Sequence, residues 1–218
     1  RDLISNRNNL ILTKSVLIRG VGVKVPLKLC EEDKTDKEIS ILMASRLLID
    51  KGVLEYFEAA KIIHQQRKDI KFFIAGEPDP GNPNSLSKFQ YEEIRRQDYI
   101  EVLGYVTDMK SLFNRSNIVV LPSYREGFPK VLMEAASYGK ASITTDVPGC
   151  NEVVEHNFTG IIIPSKDSNS LVEAILYLVN NTKERKQMGK NAFEKAKKEF
   201  EENILIEKQL QIYKELSS

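Results

Sequence analysis

The sequence predicts an α/β fold built on a doubly wound parallel sheet. Short apolar runs alternate with segments of helical spacing from one end of the chain to the other, as repeated strand, helix, strand units require. Several runs, IVVL and GIII among them, are apolar on consecutive rather than alternate positions, which suits strands covered by helices on both faces. At 218 residues the chain can bury one sizeable α/β core or two small ones.

Strands are expected at residues 15–18, 39–44, 70–75, 100–103, 117–121, 141–144 and 160–163. Between the second and third, Val53, Phe57, Ala60 and His64 recur at helical spacing and define one face. After the strand at 117–121, Pro129 suits the first helical position, because it lacks an N–H that would be orphaned there, and Gly139 closes the helix. Leu171, Ala174, Ile175 and Leu178 mark a further helix, with Ser168 or Ser170 as its cap. From Asn180 the chain is dense in charge, with Met188, Ala192, Phe193, Ala196 and Phe200 as its apolar thread, and reads as a surface helix. A last helix over 204–216 carries Leu205, Leu210, Ile212, Tyr213 and Leu216 and needs a partner surface. The acidic stretch EEDKTDKE at 31–38 reads as a solvated linker, having neither D-x-D spacing nor the glycine of a calcium loop. GEPDPGNPNS at 76–85 is a loop at a strand's C-terminal edge, a place where a ligand role is open.

A net charge of +1 supplies no bulk field for a nucleic-acid partner. The two cysteines, Cys30 and Cys150, are far apart and form no C-x-x-C, so neither a zinc site nor a disulfide framework is expected and the compartment reads as reducing. No apolar run approaches the ~18 residues of a membrane span, and RDLISNRNNL lacks the apolar core of a signal peptide, so a cytoplasmic location is expected.

The stretch REGFPKVLMEA sets Glu126 and Glu134 around the start of a helix that follows a strand. In a doubly wound sheet ligands bind beyond the strand C-termini, where helix N-termini offer free N–H groups to anions. Gly127 lets a backbone approach a ligand, and the amides of Lys130, Val131 and Leu132 would meet a phosphate. Glu126 lies in the loop before the helix and Glu134 is five residues past Pro129, about 7.5 Å further along the axis at ~1.5 Å per residue, so a diphosphate would sit between two acids. Carboxylates accept hydrogen bonds from hydroxyls, and a nucleoside diphosphate sugar has hydroxyls on both sides of its phosphates. Arg46 and Lys51, in ASRLLIDKG, would supply the cations in place of a metal.

Taken in order, ASRLLIDKG, FFIAG, LGYV, VLPSYREGFPKVLMEAASYGKASITTDVPGCNEVV and TGIIIP resemble the C-terminal half of the retaining GT-B glycosyltransferases of family GT4. The resemblance implies a Rossmann-like sheet forming one half of a GT-B fold. Residues 1–30 would be the end of an N-terminal domain and the crossing segment, 31–200 the donor domain, and 201–218 a helix packing back toward that N-terminal domain. It also implies roles: Glu126 as the catalytic residue, lying against the donor sugar near its reacting carbon, Glu134 on ribose hydroxyls, and Arg46 and Lys51 on the diphosphate. Gly127, Phe128 and Pro129 would shape the sugar pocket, the amides of Lys130, Val131 and Leu132 would face the diphosphate, and Gly104, Tyr105 and Val106 would form the base pocket. No metal and no cofactor are expected. PSYREGFP with TTDVPGCNE is similar to bacterial transferases that build capsule, O-antigen or lipid-linked glycans. That likeness implies a UDP-hexose or UDP-N-acetylhexosamine donor and a lipid- or glycan-linked acceptor, met at the inner face of the cytoplasmic membrane.

The departures are length and a turn: beside a complete two-domain enzyme these 218 residues are expected to lack the acceptor-holding N-terminal domain, and KVPLK differs from the family's usual turn. The chain begins at Arg1 in a polar segment resembling the tail of an interrupted element, so a fragment that transfers no sugar alone is expected. Two other classes compete, a GT-B-like sugar-nucleotide epimerase and a nucleotide-sugar-binding module without catalysis. The bland alternatives are a boundary residue for His64, a helix-dipole contact for His156, an inert thiol for Cys150, and a solvated face for the lysine-rich segment at 183–198, which otherwise suits anionic lipid.

Overall fold

The computed structural model describes residues 20–29 and 38–217. The expected strand at 15–18, Cys30, residues 31–37 of the linker and the side chain of Leu216 lie outside what it describes.

Six strands, β1 (Ile39–Ala44), β2 (Ile70–Ala75), β3 (Ile100–Gly104), β4 (Ile118–Leu121), β5 (Ala141–Thr145) and β6 (Gly160–Ile163), form one sheet in the order β3-β2-β1-β4-β5-β6. Every neighbouring pair is parallel. The order turns back between β1 and β4, and that reversal opens a crevice at the strands' C-terminal ends. Eight helices accompany the described strands: α1 (Val53–Gln66), α2 (Lys88–Arg95), α3 (Met109–Arg115), α4 (Lys130–Ser137), α5 (Cys150–Val153), α6 (Ser168–Asn180), α7 (Thr182–Lys195) and α8 (Glu202–Ser217).

Consecutive apolar residues serve two cores at once. In β1, Ile39, Ile41 and Met43 join Val53, Tyr56 and Ile63 of α1 and Leu171, Ile175 and Leu178 of α6. Leu42 and Ala44 point the other way, to Leu112 and Phe113 of α3 and Ala135 of α4. This is the Rossmann-like, doubly wound arrangement expected from the sequence.

Local differences have plain causes. On α1 the buried positions are Val53, Tyr56, Ala59, Ala60 and Ile63, so Phe57 and His64 move to the margin, where His64 stacks on Tyr99 with ring centroids 4.4 Å apart. Tyr56 can be the more deeply buried aromatic because its hydroxyl reaches the carbonyls of Ile41 at 2.9 Å and Phe73 at 3.1 Å. Asp167, rather than either serine, caps α6 by accepting from the Ser170 N–H at 3.0 Å. Pro129 is the residue before the first turn of α4, not within it. The charged helix α7 buries its apolar thread: Met188, Ala192 and Phe193 are inside, and a π turn over Ala196–Phe200 keeps Ala196 and Phe200 inside as well. Residues near Val23 lie along that turn, Val23 N–H donating to the Phe200 carbonyl at 2.8 Å. On α8, Ile206, Leu210 and Tyr213 are exposed by 48%, 53% and 67% and form one unburied apolar side; Leu205, expected to need a partner surface, is instead buried within the chain, and Ile206 takes its place on the open side.

Candidate functional site

Two glycines build the crevice. The turn Ile49–Lys51 after β1 ends at Gly52, whose φ is +75° and whose position would set a Cβ 2.2 Å from the Pro122 carbonyl oxygen. Only glycine lets Lys51 press against the end of β4. Across the loop, Gly149 has φ +85°, and a Cβ there would lie 2.3 Å from the Gly127 carbonyl oxygen. The loop after β4 is thereby gripped from both sides. Its Ser123 is buried, the Thr145 hydroxyl donates to the Ser123 carbonyl, and the Tyr124 N–H donates to the Asp50 carbonyl at 2.8 Å.

The consequence is an ion pair at the sheet's switch point. Lys51 Nζ lies 2.6 Å from Glu126 Oε1, their side chains 19% and 12% exposed. The Ser123 hydroxyl donates to the same oxygen at 2.8 Å. Behind the pair, the Tyr124 hydroxyl donates to Glu55 Oε1 at 2.6 Å, and burial followed by the Glu55 charge pushes this phenol above the ordinary tyrosine range. Arg125 approaches Asp50 at 3.3 Å.

Two adjoining cavities open here. The smaller, about 340 Å³, is lined by Arg46, Leu48, Asp50, Lys51, Asn82, Arg125, Glu126 and Gly127. The larger, about 540 Å³, holds Glu134 and Lys130 against Tyr105, Val106, Met109 and the residues 77–80. Arg46 lines both and is held by Asp79 at 2.9 Å. Glu134, its side chain 25% exposed, lies 3.3 Å from Lys130.

Of the residues expected from the sequence, Arg46, Lys51, Gly127, Glu126, Lys130, Val131, Glu134, Tyr105 and Val106 line one cavity or the other. Gly127 has no strained φ and nothing within 4 Å of a built Cβ, so its missing side chain simply leaves the cavity open. Four residues are placed differently. Phe128 turns under the loop, edge-on to Phe200 at 5.8 Å, because the apolar cluster around the π turn offers it more burial than the cavity. Pro129 is buried before the helix. Leu132 is a core side chain, and its N–H donates to the Pro129 carbonyl at 3.1 Å, so only the amides of Lys130 and Val131 remain at the free end of α4. Gly104 braces rather than lines, its carbonyl accepting from the Gly76 N–H at 2.7 Å. His156 makes no helix-end contact; its Nδ1 accepts from the Ile162 N–H at 3.0 Å. Cys150 is fully buried, and burial pushes its thiol up, away from reactivity.

Sequence reasoning missed Asp50, Ser123, the Tyr124–Glu55 bond, Asp79 and Asn82. Only the last two carried a signal, being in the Pro/Gly/Asn loop at the β2 edge. Among the described residues no three His, Cys, Asp or Glu side chains are grouped to hold a metal, and no helix is long and apolar enough to cross a membrane.

The family model for glycosyl transferases group 1 matches residues 29–195. The N,N'-diacetylbacillosaminyl-diphospho-undecaprenol alpha-1,3-N-acetylgalactosaminyltransferase of Campylobacter jejuni is 31% identical over 223 residues, covering 98% of this chain and 56% of that protein. A crystal structure of Anabaena HepE in complex with UDP-glucose superposes with a TM-score of 0.72 at 22% identity, over 83% of this chain and 49% of that one. The C-terminal domain of the glycosyl transferase group 1 protein LpcC from Francisella tularensis superposes with a TM-score of 0.69 at 20% identity, over 79% of this chain and 95% of that one. These two likenesses show the fold. The chain spans about half the length of the curated relatives it matches.

Proposed function

Because the chain belongs to the glycosyl transferases group 1 family and has the fold of a C-terminal GT-B domain, we propose that it binds the nucleotide-sugar donor of a retaining, metal-independent glycosyltransferase. The observation that carries this reading is the pair of joined cavities with Arg46 between them. The larger takes the nucleoside: Tyr105 and Val106 face the base, and Glu134 accepts from ribose hydroxyls. The smaller takes the hexosyl or N-acetylhexosaminyl group and the phosphates. There Lys51 and Arg46 stabilise charge on the leaving diphosphate, and Glu126 stabilises the positive charge that develops at the reacting carbon.

Two cations at the phosphates do the work a metal would otherwise do, each charge-assisted contact contributing about 1.5 to 3 kcal/mol. The amides of Lys130 and Val131 add donors at the positive end of α4. UDP is the favoured nucleotide, since HepE is a complex with UDP-glucose. A lipid-linked acceptor is favoured because the Campylobacter relative is named for a diphospho-undecaprenol one. In a protein of the relatives' length, the remaining residues hold that acceptor across the cleft, at the cytoplasmic face of the membrane, and α8 packs toward them through Ile206, Leu210 and Tyr213.

Titration calorimetry of the 218-residue chain with UDP tests the reading. Saturable binding is expected, weakened about ten- to a hundredfold by Arg46→Ala or Lys51→Ala. Unchanged affinity in both variants would remove the phosphates from this site. In an enzyme of the relatives' length, Glu126→Ala is expected to lower kcat far more than nucleotide affinity.

A further inference from the structure

The loop between β2 and α2 is laced along the segment that leads to Lys51. Leu47 N–H donates to the Glu77 carbonyl at 2.9 Å, Leu86 N–H to the Leu47 carbonyl at 3.0 Å, and Ile49 N–H to the Asn84 carbonyl at 2.7 Å. Within the loop, Asn82 N–H reaches the Asp79 carbonyl at 2.9 Å and Ser85 N–H the Asn82 carbonyl at 3.0 Å. The Ser85 hydroxyl braces the two turns by accepting from Asp79 N–H at 2.9 Å. Pro78, Pro80 and Pro83 restrict φ at three further positions, so the loop holds its side chains in place before any ligand arrives.

Asn82 is the residue this loop contributes to the smaller cavity. Its Oδ1 accepts from Asn84 N–H at 2.9 Å, which assigns the two ends of the amide and leaves Nδ2 as the donor without an acceptor among the described residues. The other polar side chains lining this cavity are charged and engaged: Arg46 with Asp79, Lys51 with Glu126, Arg125 with Asp50. Cations suit phosphate oxygens. A neutral amide donor suits a neutral acceptor, and beside Gly127 there is room for one. On a nucleotide sugar, the neutral acceptors beyond the phosphates are the hexose hydroxyls and an acetamido carbonyl.

We propose that Asn82 is a specificity-determining residue for the donor sugar, its Nδ2 donating to an oxygen of the hexose. This rests on the donor-site reading and goes further, since it assigns Asn82, the residue the β2–α2 loop places in the smaller cavity, to recognition of the sugar, while residues 77–80 of the loop face the larger one. Calorimetry of the chain and of Asn82→Ala and Asn82→Asp, with UDP, UDP-glucose and UDP-N-acetylglucosamine, tests it, with melting temperature as the control for folding. Both variants are expected to weaken at least one UDP-sugar about three- to tenfold while changing UDP by less than about twofold. Equal losses for UDP and the UDP-sugars, or no loss for either sugar, overturn the assignment. Absence of UDP binding by the unaltered chain overturns the donor-site reading itself, and the role of Asn82 with it.

Discussion

The two cavities meet at Arg46 yet are built on opposite principles. In the smaller, the ionic groups are already partnered: Lys51 holds Glu126 at 2.6 Å and Asp50 holds Arg125 at 3.3 Å. A ligand there must substitute for bonds the protein has made, and the groups it meets also hold two loops together. In the larger, Glu134 has Lys130 beside it at 3.3 Å, and apolar residues such as Val106 and Met109 make up much of the wall. Its ion pairs, Lys130 with Glu134 within one helix and Arg46 with Asp79 in the open, are exposed ones, so a ligand there displaces little that the fold depends on. Changes in the first cavity are therefore expected to reach stability and affinity together, and changes in the second to reach affinity alone.

Gly52→Ala gives the largest effect. A side chain at φ +75°, 2.2 Å from a backbone oxygen, costs about 3 kcal/mol or more and pushes Lys51 off β4. Chemical denaturation is expected to show that loss, and calorimetry a loss of UDP binding. A stable variant with normal affinity would break the account of how the ion pair is placed. Lys51→Ala comes next, because Glu126 is then left 12% exposed without its cation; a loss of about 1 to 3 kcal/mol in unfolding free energy accompanies the weakened UDP binding.

Glu134→Ala is the sharpest contrast. It is expected to leave the melting temperature unaltered and to abolish discrimination between UDP and 2′-deoxy-UDP, an effect of about tenfold. If it destabilises the protein as Lys51→Ala does, the distinction between the cavities fails. The smallest effect is on the alkaline side. Burial holds Tyr56 well above the ordinary phenol value, and burial with Glu55 does the same for Tyr124. Unfolded tyrosine ionises near pH ~10 while these two keep their protons, so the folded chain binds more protons, and stability present below that pH is lost as pH rises above it. Denaturation series across that range are expected to fall less steeply for Tyr124→Phe.

Much of this was legible in the sequence because the signals are local. Strands β1, β2 and β6 have the bounds their consecutive apolar residues predict, since burial on both faces leaves a pattern within six residues or fewer. The places of Glu126 before α4 and Glu134 within it were legible for a related reason, as helix position follows from the Gly and Pro that punctuate it. Phe128 was misread because its neighbours in sequence suggest a pocket, whereas Phe200, brought near by the π turn, offers it a core.

Taken alone, the sequence determined the fold class, the strand order's raw material and the ends of the sheet at which the two cavities open. Tertiary structure decided which charges meet. Lys51 finds Glu126, Arg46 finds Asp79, and Asn82 reaches the smaller cavity only because residues 76–87 hydrogen-bond along 47–49. Such pairings depend on loops approaching across strand ends, where neither periodicity nor propensity leaves a mark, and glycines at Gly52 and Gly149 set the distances by permitting backbones to touch.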